Sequence, residues 1–499
     1  MNKNKIIVYL TALMVAFGYN SCDEDNVDLD PTGVTEQAYF SEEIEFERAV
    51  FGAYAKLSDF YWYNASQFNC VQPVTLLPGD DVTTTAQEEF EDFAGLNPGS
   101  GRIAYFYTAI YQLIARSNVV LEKNEQVAAG IYKTAGLKEA HRGEALFLRA
   151  YGHYLLWNLF GTAPVRTQRL ASLADAKPGS STGTALLDQA ITDLTEAATL
   201  LPSSWSDINR GRITANAANG LLGKCLVFRA TVSASNADYT AAIAAFDKIS
   251  GVSLVPQFDD NFAADTENNA ESLFEFQASQ AFGGDNPWLP NDFDNPIGAL
   301  SVFWGFYDGH WSLFGKAPFI ATQKLANMYE PDDPRKSLTL NAGNLAIRKY
   351  VTRDRLNQPG QSSVNNPRIL RLADVLLLKA EALVESGGAT AQAIDLINQV
   401  RARARGAGVS PANRDNTVSD RAVIRQWIMD ERLMELAGEG QRWFDLRRWA
   451  LGGKLSLNND FFSSANPGQM AFSAPKHLNF PIPTVETDVN PNITQNTGY

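Results

Sequence analysis

The stretch RGEALFLRAY, residues 142–151, lies inside a helical pattern that runs from Leu137 to Phe160. Leu146, Ala150 and Tyr154 follow one another at helical spacing, which places them on one apolar stripe. A glycine follows the pattern directly and ends it. The stretch therefore predicts a long helix that packs against other elements along one face.

Similar patterns occur on both sides of this helix in the chain. Helix, short loop and helix follow one another with irregular repeat lengths, which indicates stacked helical hairpins of the tetratricopeptide kind. The other predicted helices cover residues 105–123, 184–200, 214–232, 238–249, 368–385, 391–403, 418–436 and 442–449.

The part from about residue 251 to residue 367 has a different composition, rich in Gly, Pro, Asn and aromatic residues. Loops of this length in a compact protein are usually functional or disordered, and the aromatic content argues against disorder. Apolar stretches at 272–276 and 345–350 predict short strands. The tail 477–499 contains three prolines and predicts extended chain. The sequence thus predicts a mostly α fold with few short strands.

The N-terminus has the composition of an export signal. Lys3 and Lys5 precede the apolar residues 6–17, a run too short to span a bilayer permanently. Cys22 stands where such a signal is cut, which predicts cleavage before it and acylation of its sulfur and new amino group. The alternative is a plain secretory signal with a chance cysteine, and Tyr19 departs from the aliphatic residue usual at that place.

The composition excludes several classes of function. The chain has 499 residues and a net charge of −14, which argues against binding nucleic acid or lipid through a polybasic surface. After acylation of Cys22, Cys70 and Cys225 could pair, but two buried free thiols suit a body of this size better.

Motifs for catalysis or cofactor binding are missing from the sequence. The four histidines form no HExxH pair, and there is no GxSxG elbow, Walker A loop or EF-hand. We therefore predict no catalytic residue, no resident metal and no cofactor. Calcium binding by oxygens of Asp80, Asp81 and the acids of 285–294 is a further hypothesis.

The run from Glu431 to Trp449 is dense in arginine and carboxylate. It could contain an acid/base pair, but arginine forks suit bidentate pairing, and charges in packed helices are usually partnered. We interpret the run as a buried ion-pair network, and we interpret Glu144, Arg149 and Asp374 in the same way.

A series of short stretches occurs in a fixed order along the chain, namely 142–151, 159–161 with 164–165, 211–214, 371–375, 380–382, 430–436, 439–449, 481–483, 490–491 and 495–499. Together they resemble the SusD/RagB family, the surface lipoproteins of glycan-uptake systems in Bacteroidetes. Their order covers nearly the whole chain after the signal, and the acidic residues after Cys22 resemble the signal that sends such lipoproteins to the outer face of the outer membrane.

The resemblance implies a scaffold of four tetratricopeptide-like hairpins and a loop-rich part that carries the ligand site. It also implies capture of oligosaccharide without bond cleavage, and delivery to a TonB-dependent (SusC-like) outer-membrane transporter. The expected organisation is a signal peptide at 1–21, an acylated tether at 22–40 and one body at 41–499. Within that body we expect helical scaffold at about 41–250 and 368–450, the loop-rich binding region at about 251–367 and an extended part at 451–499.

Aromatic residues in two loop regions are the candidates for binding a sugar. A flat ring matches the apolar face of a sugar, and nearby polar groups can bind its hydroxyls. The alternative is that these rings form the core of the loop layer. The candidate ligand-binding residues are Tyr61, Trp62, Asp80, Asp81, Trp288, Trp304, Tyr307 and Trp311.

Three other functions compete with glycan capture. A peptide-binding member of the same family would use backbone hydrogen bonds and depend less on aromatic rings. A surface glycoside hydrolase would need two carboxylates roughly 5–10 Å apart in a cleft. A pure scaffold would hold neighbouring proteins with its helical hairpins and expose no aromatic patch.

Overall fold

The computed structural model describes residues 36–61, 71–84, 88–170, 172, 175–278, 319–351, 365–465 and 471–499. The helices in these ranges are α1 (Glu36–Tyr39), α2 (Glu43–Tyr54), α3 (Ser58–Tyr61), α4 (Val71–Leu76), α5 (Glu89–Asp92), α6 (Gly101–Gln126), α7 (Leu137–Leu159), α8 (Ala185–Leu200), α9 (Ala215–Ser233), α10 (Asn236–Phe246), α11 (Gln323–Met328), α12 (Pro334–Thr339), α13 (Leu372–Glu385), α14 (Thr390–Arg405), α15 (Arg421–Glu435), α16 (Arg442–Leu451), α17 (Asn459–Ala465) and α18 (Thr484–Val489). The strands are β1 (Val82–Thr83), β2 (Ser272–Glu275), β3 (Ile320–Ala321) and β4 (Arg368–Arg371).

The long helices form one continuous packed series. Each of the helices α6, α7, α8 and α9 packs against the helix that follows it. Helix α10 packs against α13, and α13 packs against α14 and α15. Two glycines allow close approach: a Cβ at Gly152 of α7 would lie 2.6 Å from Ile114 of α6, and one at Gly223 of α9 would lie 2.2 Å from the Phe246 ring of α10. The prediction of a mostly helical fold with few short strands is confirmed.

The predicted helices of the first half are confirmed to within four residues at each end. Side-chain caps fix two of their starts, because Ser100 accepts a hydrogen bond from the Ile103 N–H and Thr214 accepts one from the Ala217 N–H. Cys225 is a buried free thiol in α9, as predicted, and burial raises its pKa to about 12. Cys70 lies outside the described residues.

Three local predictions are wrong. The helix predicted at 368–385 begins only at Leu372, because Arg368–Arg371 pairs with β2 as the antiparallel strand β4. The strand predicted at 345–350 is reduced to isolated bridges and a 3₁₀ turn. Lys349 and Tyr350 are both buried, and Lys349 pairs with Glu439 at 2.7 Å, so these two residues join the packed interior rather than a strand ladder. The tail 477–499 contains helix α18, which begins just after Pro483, where the missing N–H of proline costs nothing.

A buried ionic cluster joins the C-terminal helices to the middle of the chain. Glu435 of α15 accepts from Arg371 of β4 at 2.7 Å, from Arg335 of α12 at 3.0 Å and from Arg403 of α14. The cluster continues to Glu271, Lys349, Glu431 and Glu439, and from Arg335 and Glu431 to Asp333 and Arg401. Burial opposes ionisation of Glu435, but the surrounding guanidinium groups lower its pKa to about 2. The cluster therefore consists of charges that compensate one another.

A second buried network joins α9, α13, α15 and α16. Asp374 pairs with Lys224 at 2.6 Å and with Arg432 at 2.8 Å, and Arg432 also pairs with Asp445 at 2.7 Å. Arg448 continues the chain of contacts to Glu381. The predicted ion-pair network between Glu431 and Trp449 is confirmed.

Glu144 and Arg149 of α7, which we also predicted to form buried ion pairs, do so. Glu144 accepts two hydrogen bonds from Arg212, at 2.8 and 2.7 Å, and Arg149 forms a bidentate pair with Asp193. Both pairs are buried, so these residues stabilise the packing of α7 on its neighbours.

Replacement of Glu435 by Gln tests the ionic cluster. The variant leaves three buried arginines short of one charge, and we expect the free energy of unfolding to fall by about 3 kcal/mol or more. The folded pKa of Glu435, about 2, lies below its unfolded value of about 4.3. Its contribution is complete above the unfolded value and is lost as the pH falls through the folded value. In denaturant titrations, the difference in free energy of unfolding between the wild type and Glu435→Gln should therefore become smaller as the pH falls from about 4 to 2.

Asp207→Asn is the matched control. Asp207 pairs with Arg210, but its side chain is 90% exposed, so the loss of its charge should change stability little. Equal stability of Glu435→Gln and the wild type at pH 7 would contradict the assignment of the cluster.

Candidate functional site

The predicted binding residues fall into two groups. Cys22, Trp62, Trp288, Trp304, Tyr307 and Trp311 lie outside the described residues, as do the acids of 285–294. Tyr61 is the last residue of α3. Asp80 and Asp81 lie directly before β1 and are described in full. The candidate site is therefore built from the segments that hold the chain on either side of the predicted aromatic residues.

The strand pair β1–β3 brings the early loop region against the middle region. Val82 lies opposite Ala321 and Thr83 opposite Ile320 in antiparallel register. A third segment joins them, because the Ala321 N–H donates to the Leu345 carbonyl at 2.7 Å. The described chain resumes at residue 319, so this strand pair fixes the C-terminal end of segment 279–318, which contains four of the predicted binding residues.

A second junction fixes the other end of the same segment. The Phe276 N–H donates to the Pro367 carbonyl at 3.0 Å, and the Ala278 N–H donates to Asn366 Oδ1 at 2.7 Å. The Asn366 amide in turn donates to Glu275 of β2 at 2.9 Å. Residue 278 is the last described residue before the segment, so the segment is anchored to the helical body at both ends.

Asp80 lies beside β1, where its contacts with Arg442, Lys324 and Thr322 form a corner between three elements. Its carboxylate receives Arg442 Nε and Nη2 of α16 and Lys324 Nζ of α11, the last at 2.6 Å. The Thr322 hydroxyl donates to the Asp80 carbonyl at 2.8 Å. Burial opposes ionisation, but Arg442 and then Lys324 lower the pKa of Asp80 to about 2. The ionised Asp80 therefore links the chain before β1 to α11 and α16 through ion pairs. Of its two cationic partners, Lys324 is the more exposed, at 27%.

Asp81 is buried beside this tie in a different electrostatic state. Its Oδ2 accepts the Gly438 N–H at 3.0 Å, and its carbonyl accepts the Thr322 N–H at 2.9 Å. Burial raises its pKa to about 6, against the hydrogen bond from Gly438. A Cβ at Gly79 would lie 2.5 Å from Asp81 Oδ1, so a side chain there would displace the Asp81 carboxylate.

The corner has the chemistry of a structural joint rather than of a reactive site. Its two carboxylates are buried and contact protein groups, and ligand binding by Asp80 and Asp81 stays a prediction. Among the described residues, no group of three or more His, Cys, Asp or Glu side chains is placed to hold a metal ion. Sequence reasoning missed Lys324, Thr322 and Gly438, since no local pattern marks partners more than 240 residues away in the chain.

Within the part of the chain that the structure describes, no helix is long and apolar enough to cross a bilayer.

Two family models match this chain in separate regions. The model described as SusD family matches residues 315–499. The model described as "Starch-binding associating with outer membrane" matches residues 36–226. The first match includes β3, β4 and the members of the buried ionic cluster other than Glu271, and the second includes α1 to α8 and Asp80.

Comparable proteins span the whole chain. SusD-like protein P2 of Formosa agariphila is 25% identical over 100% of both chains. Starch-binding protein SusD of Bacteroides thetaiotaomicron is 23% identical over 89% of this chain and 86% of its own length.

Solved structures agree with the fold. A SusD superfamily protein of Parabacteroides distasonis superposes with a TM-score of 0.74 at 20% identity, over 92% of this chain and 99% of that one. A laminarin binding SusD-like protein superposes with a TM-score of 0.72 at 24% identity, over 92% and 100%.

Replacement of Asp81 by Asn tests the electrostatics of the corner. The folded pKa of about 6 lies above the unfolded value of about 4, so the wild type loses stability as the pH rises from about 4 to 6. The variant has no charge to bury at this position. Over that window we expect the free energy of unfolding of the variant to rise relative to that of the wild type by up to about 3 kcal/mol. Urea titrations at pH 4, 5, 6 and 7 measure this difference. A difference between the two proteins that stays constant with pH would contradict the assignment.

Proposed function

Because the chain belongs to the SusD family, we propose that it captures oligosaccharides at the cell surface. One observation carries the proposal: segment 279–318, with its dense aromatic residues, is anchored at both ends on the helical body. Two hydrogen bonds at Phe276 and Ala278 hold one end, and the β1–β3 pair holds the other. Binding loops on a rigid scaffold are the usual way in which a fold presents a site.

The chemistry of this segment suits a carbohydrate. Trp288, Trp304 and Trp311 are large flat rings that can stack on the apolar face of a sugar. Asn, Asp and Gly residues lie between them in the sequence and can supply donors and acceptors for hydroxyl groups. Relatives support this class of ligand, since one is named starch-binding and a solved structure is named laminarin binding.

The proposed setting is the outer membrane. Cys22 follows an export signal, and acylation there would tether the body, with the acidic residues after it directing the anchor to the outer face. The model that matches residues 36–226 is described as associating with the outer membrane. We propose a TonB-dependent (SusC-like) transporter as the partner that receives the ligand.

We propose binding without catalysis. The acid-rich cluster around Glu435 and Glu439 is buried and paired with arginine and lysine. Carboxylates that are buried and paired with cations are not placed to contact a glycosidic bond. Relatives named for binding starch and laminarin agree with this assignment.

A binding titration tests the proposed function. The chain from Asp23 onward should bind one class of polysaccharide from a panel, measured by calorimetry. Trp288→Ala, Trp304→Ala and Trp311→Ala are compared, and loss of a stacking ring should weaken affinity about tenfold or more, because a buried aromatic anchor contributes about 2 kcal/mol.

Trp427→Ala is the matched control. Trp427 is half-buried on α15 beneath Arg414, far in sequence from the predicted aromatic platform, and packs on the apolar residues between α13, α14 and α15. Its loss should leave affinity unchanged. A folded protein that binds no glycan would contradict the proposal and favour a peptide ligand or a scaffold role.

Replacement of Cys22 by Ser tests the anchor. We expect the variant to lose incorporation of radiolabelled palmitate and to leave the membrane fraction in a host that processes bacterial lipoproteins. Cys70→Ser serves as the control and should keep the label. Palmitate incorporation that persists in Cys22→Ser would refute acylation at this residue.

A further inference from the structure

A cavity of about 470 Å³ lies between α6, the segment from Pro164 to Leu170 and the C-terminal tail. Its walls are mainly apolar and include Tyr107, Tyr111 and Ile493. It shares no lining residue with the corner around Asp80. A cavity of this size and character is typical of a binding site rather than of a packing defect.

Hydrogen bonds between its lining residues fix the positions of the cavity walls. The Tyr111 hydroxyl donates to the Pro164 carbonyl at 2.6 Å, and the Asn118 amide donates to the Gln168 carbonyl at 3.2 Å. On the opposite side, the Asn490 amide donates to the Pro178 carbonyl at 2.8 Å. The cavity is therefore preformed by the fold.

One exposed aliphatic side chain lines the cavity, and two more lie next to lining residues in the chain. Leu170 lines it and is 56% exposed. Val485 and Val489 lie one turn apart on α18, are 59% and 63% exposed, and flank Glu486, which lines the cavity. Exposed apolar groups around a preformed cavity indicate a surface that another segment covers.

The first described residue of the chain lies beside this cavity. Glu36, the first described residue, pairs with Arg169 at 2.5 and 3.0 Å and with Lys123 at 2.6 Å. Arg169 itself lines the cavity. Glu36, where the described chain begins, therefore lies at the rim of the cavity.

The sequence of the tether matches the cavity in pattern and in length. Val27, Leu29 and Pro31 alternate with aspartates, so an extended chain places the three apolar side chains on one side. The seven residues from Leu29 to Glu36 span about 23 Å when extended. The stretch of α6 from Tyr107 to Lys123 is about 24 Å long, so a tether that turns back along α6 brings Leu29 level with Tyr107.

The charges at the rim also suit this segment. Arg166 lines the cavity, and its described hydrogen bonds go to the backbone carbonyls of Asp175 and Ala176. Glu486 lines the same cavity and interacts electrostatically with Arg166, but the described residues show no ion pair between the two. The guanidinium can therefore also meet the aspartates that alternate with the apolar residues of the tether.

We propose that residues 27–34 bind in this cavity as an extended segment, with Val27, Leu29 and Pro31 against the apolar wall. The bound tether shortens the free link between Cys22 and the body from fourteen residues, about 48 Å, to five, about 17 Å. With Cys22 anchored as proposed above, this holds the α6 and α18 face of the body toward the membrane.

Hydrogen exchange tests the proposal on the chain from Asp23 to Tyr499. Amides of residues 27–34 should exchange at least about tenfold more slowly than those of a free peptide. Ala115→Trp fills the mouth of the cavity from an exposed position on α6 and should abolish this protection. Ala244→Trp adds the same side chain at an exposed position on α10 and should leave the protection intact. Fast exchange in the wild type, or protection that survives Ala115→Trp, would overturn the proposal.

Photo-crosslinking supplies an independent measurement without filling the cavity. A benzophenone side chain at Leu170 should crosslink to residues 27–34 of the same chain, and one at Val409, which is 84% exposed elsewhere, should not. Crosslinks from position 170 to a second copy, or to no part of the tether, would contradict the intramolecular assignment.

Discussion

The compensation of buried charge around Glu435 is the constraint on which the rest of this structure depends. A charged group in the interior is stable only with its counter-charges in place. Glu435 meets arginines from β4, α12 and α14, three elements that are distant in the chain. Any displacement of one element would leave charges unpaired, so the cluster selects one arrangement of the C-terminal helices and the middle of the chain.

The same piece of chain carries this constraint to the candidate site. Gly438 and Arg442 follow Glu435 within seven residues, and they hold Asp81 and Asp80. These aspartates precede β1, which pairs with β3 and fixes one end of the aromatic segment. Interior electrostatics thus position the described end of the aromatic segment, to which we assign the proposed ligand chemistry.

Local sequence patterns predicted the parts of the fold that local physics determines. Apolar periodicity gave the long helices, and the density of paired charge types after Glu431 predicted the ionic network. The strand β4 was missed because its residues, Arg368–Arg371, have partners nearly a hundred residues earlier, and helix-forming residues follow it directly. The corner around Asp80 was missed as a joint for the same reason, since Arg442 lies 362 residues away. Whether the loop aromatics face a ligand depends on tertiary placement, which periodicity does not encode.

A crystal structure of the chain from Asp23 onward with a bound oligosaccharide would test the central claim most directly. The account predicts a sugar ring stacked on at least one of Trp288, Trp304, Tyr307 and Trp311, with Asp80 still paired to Arg442. A sugar bound at a distant surface without contact to any of these rings would contradict it.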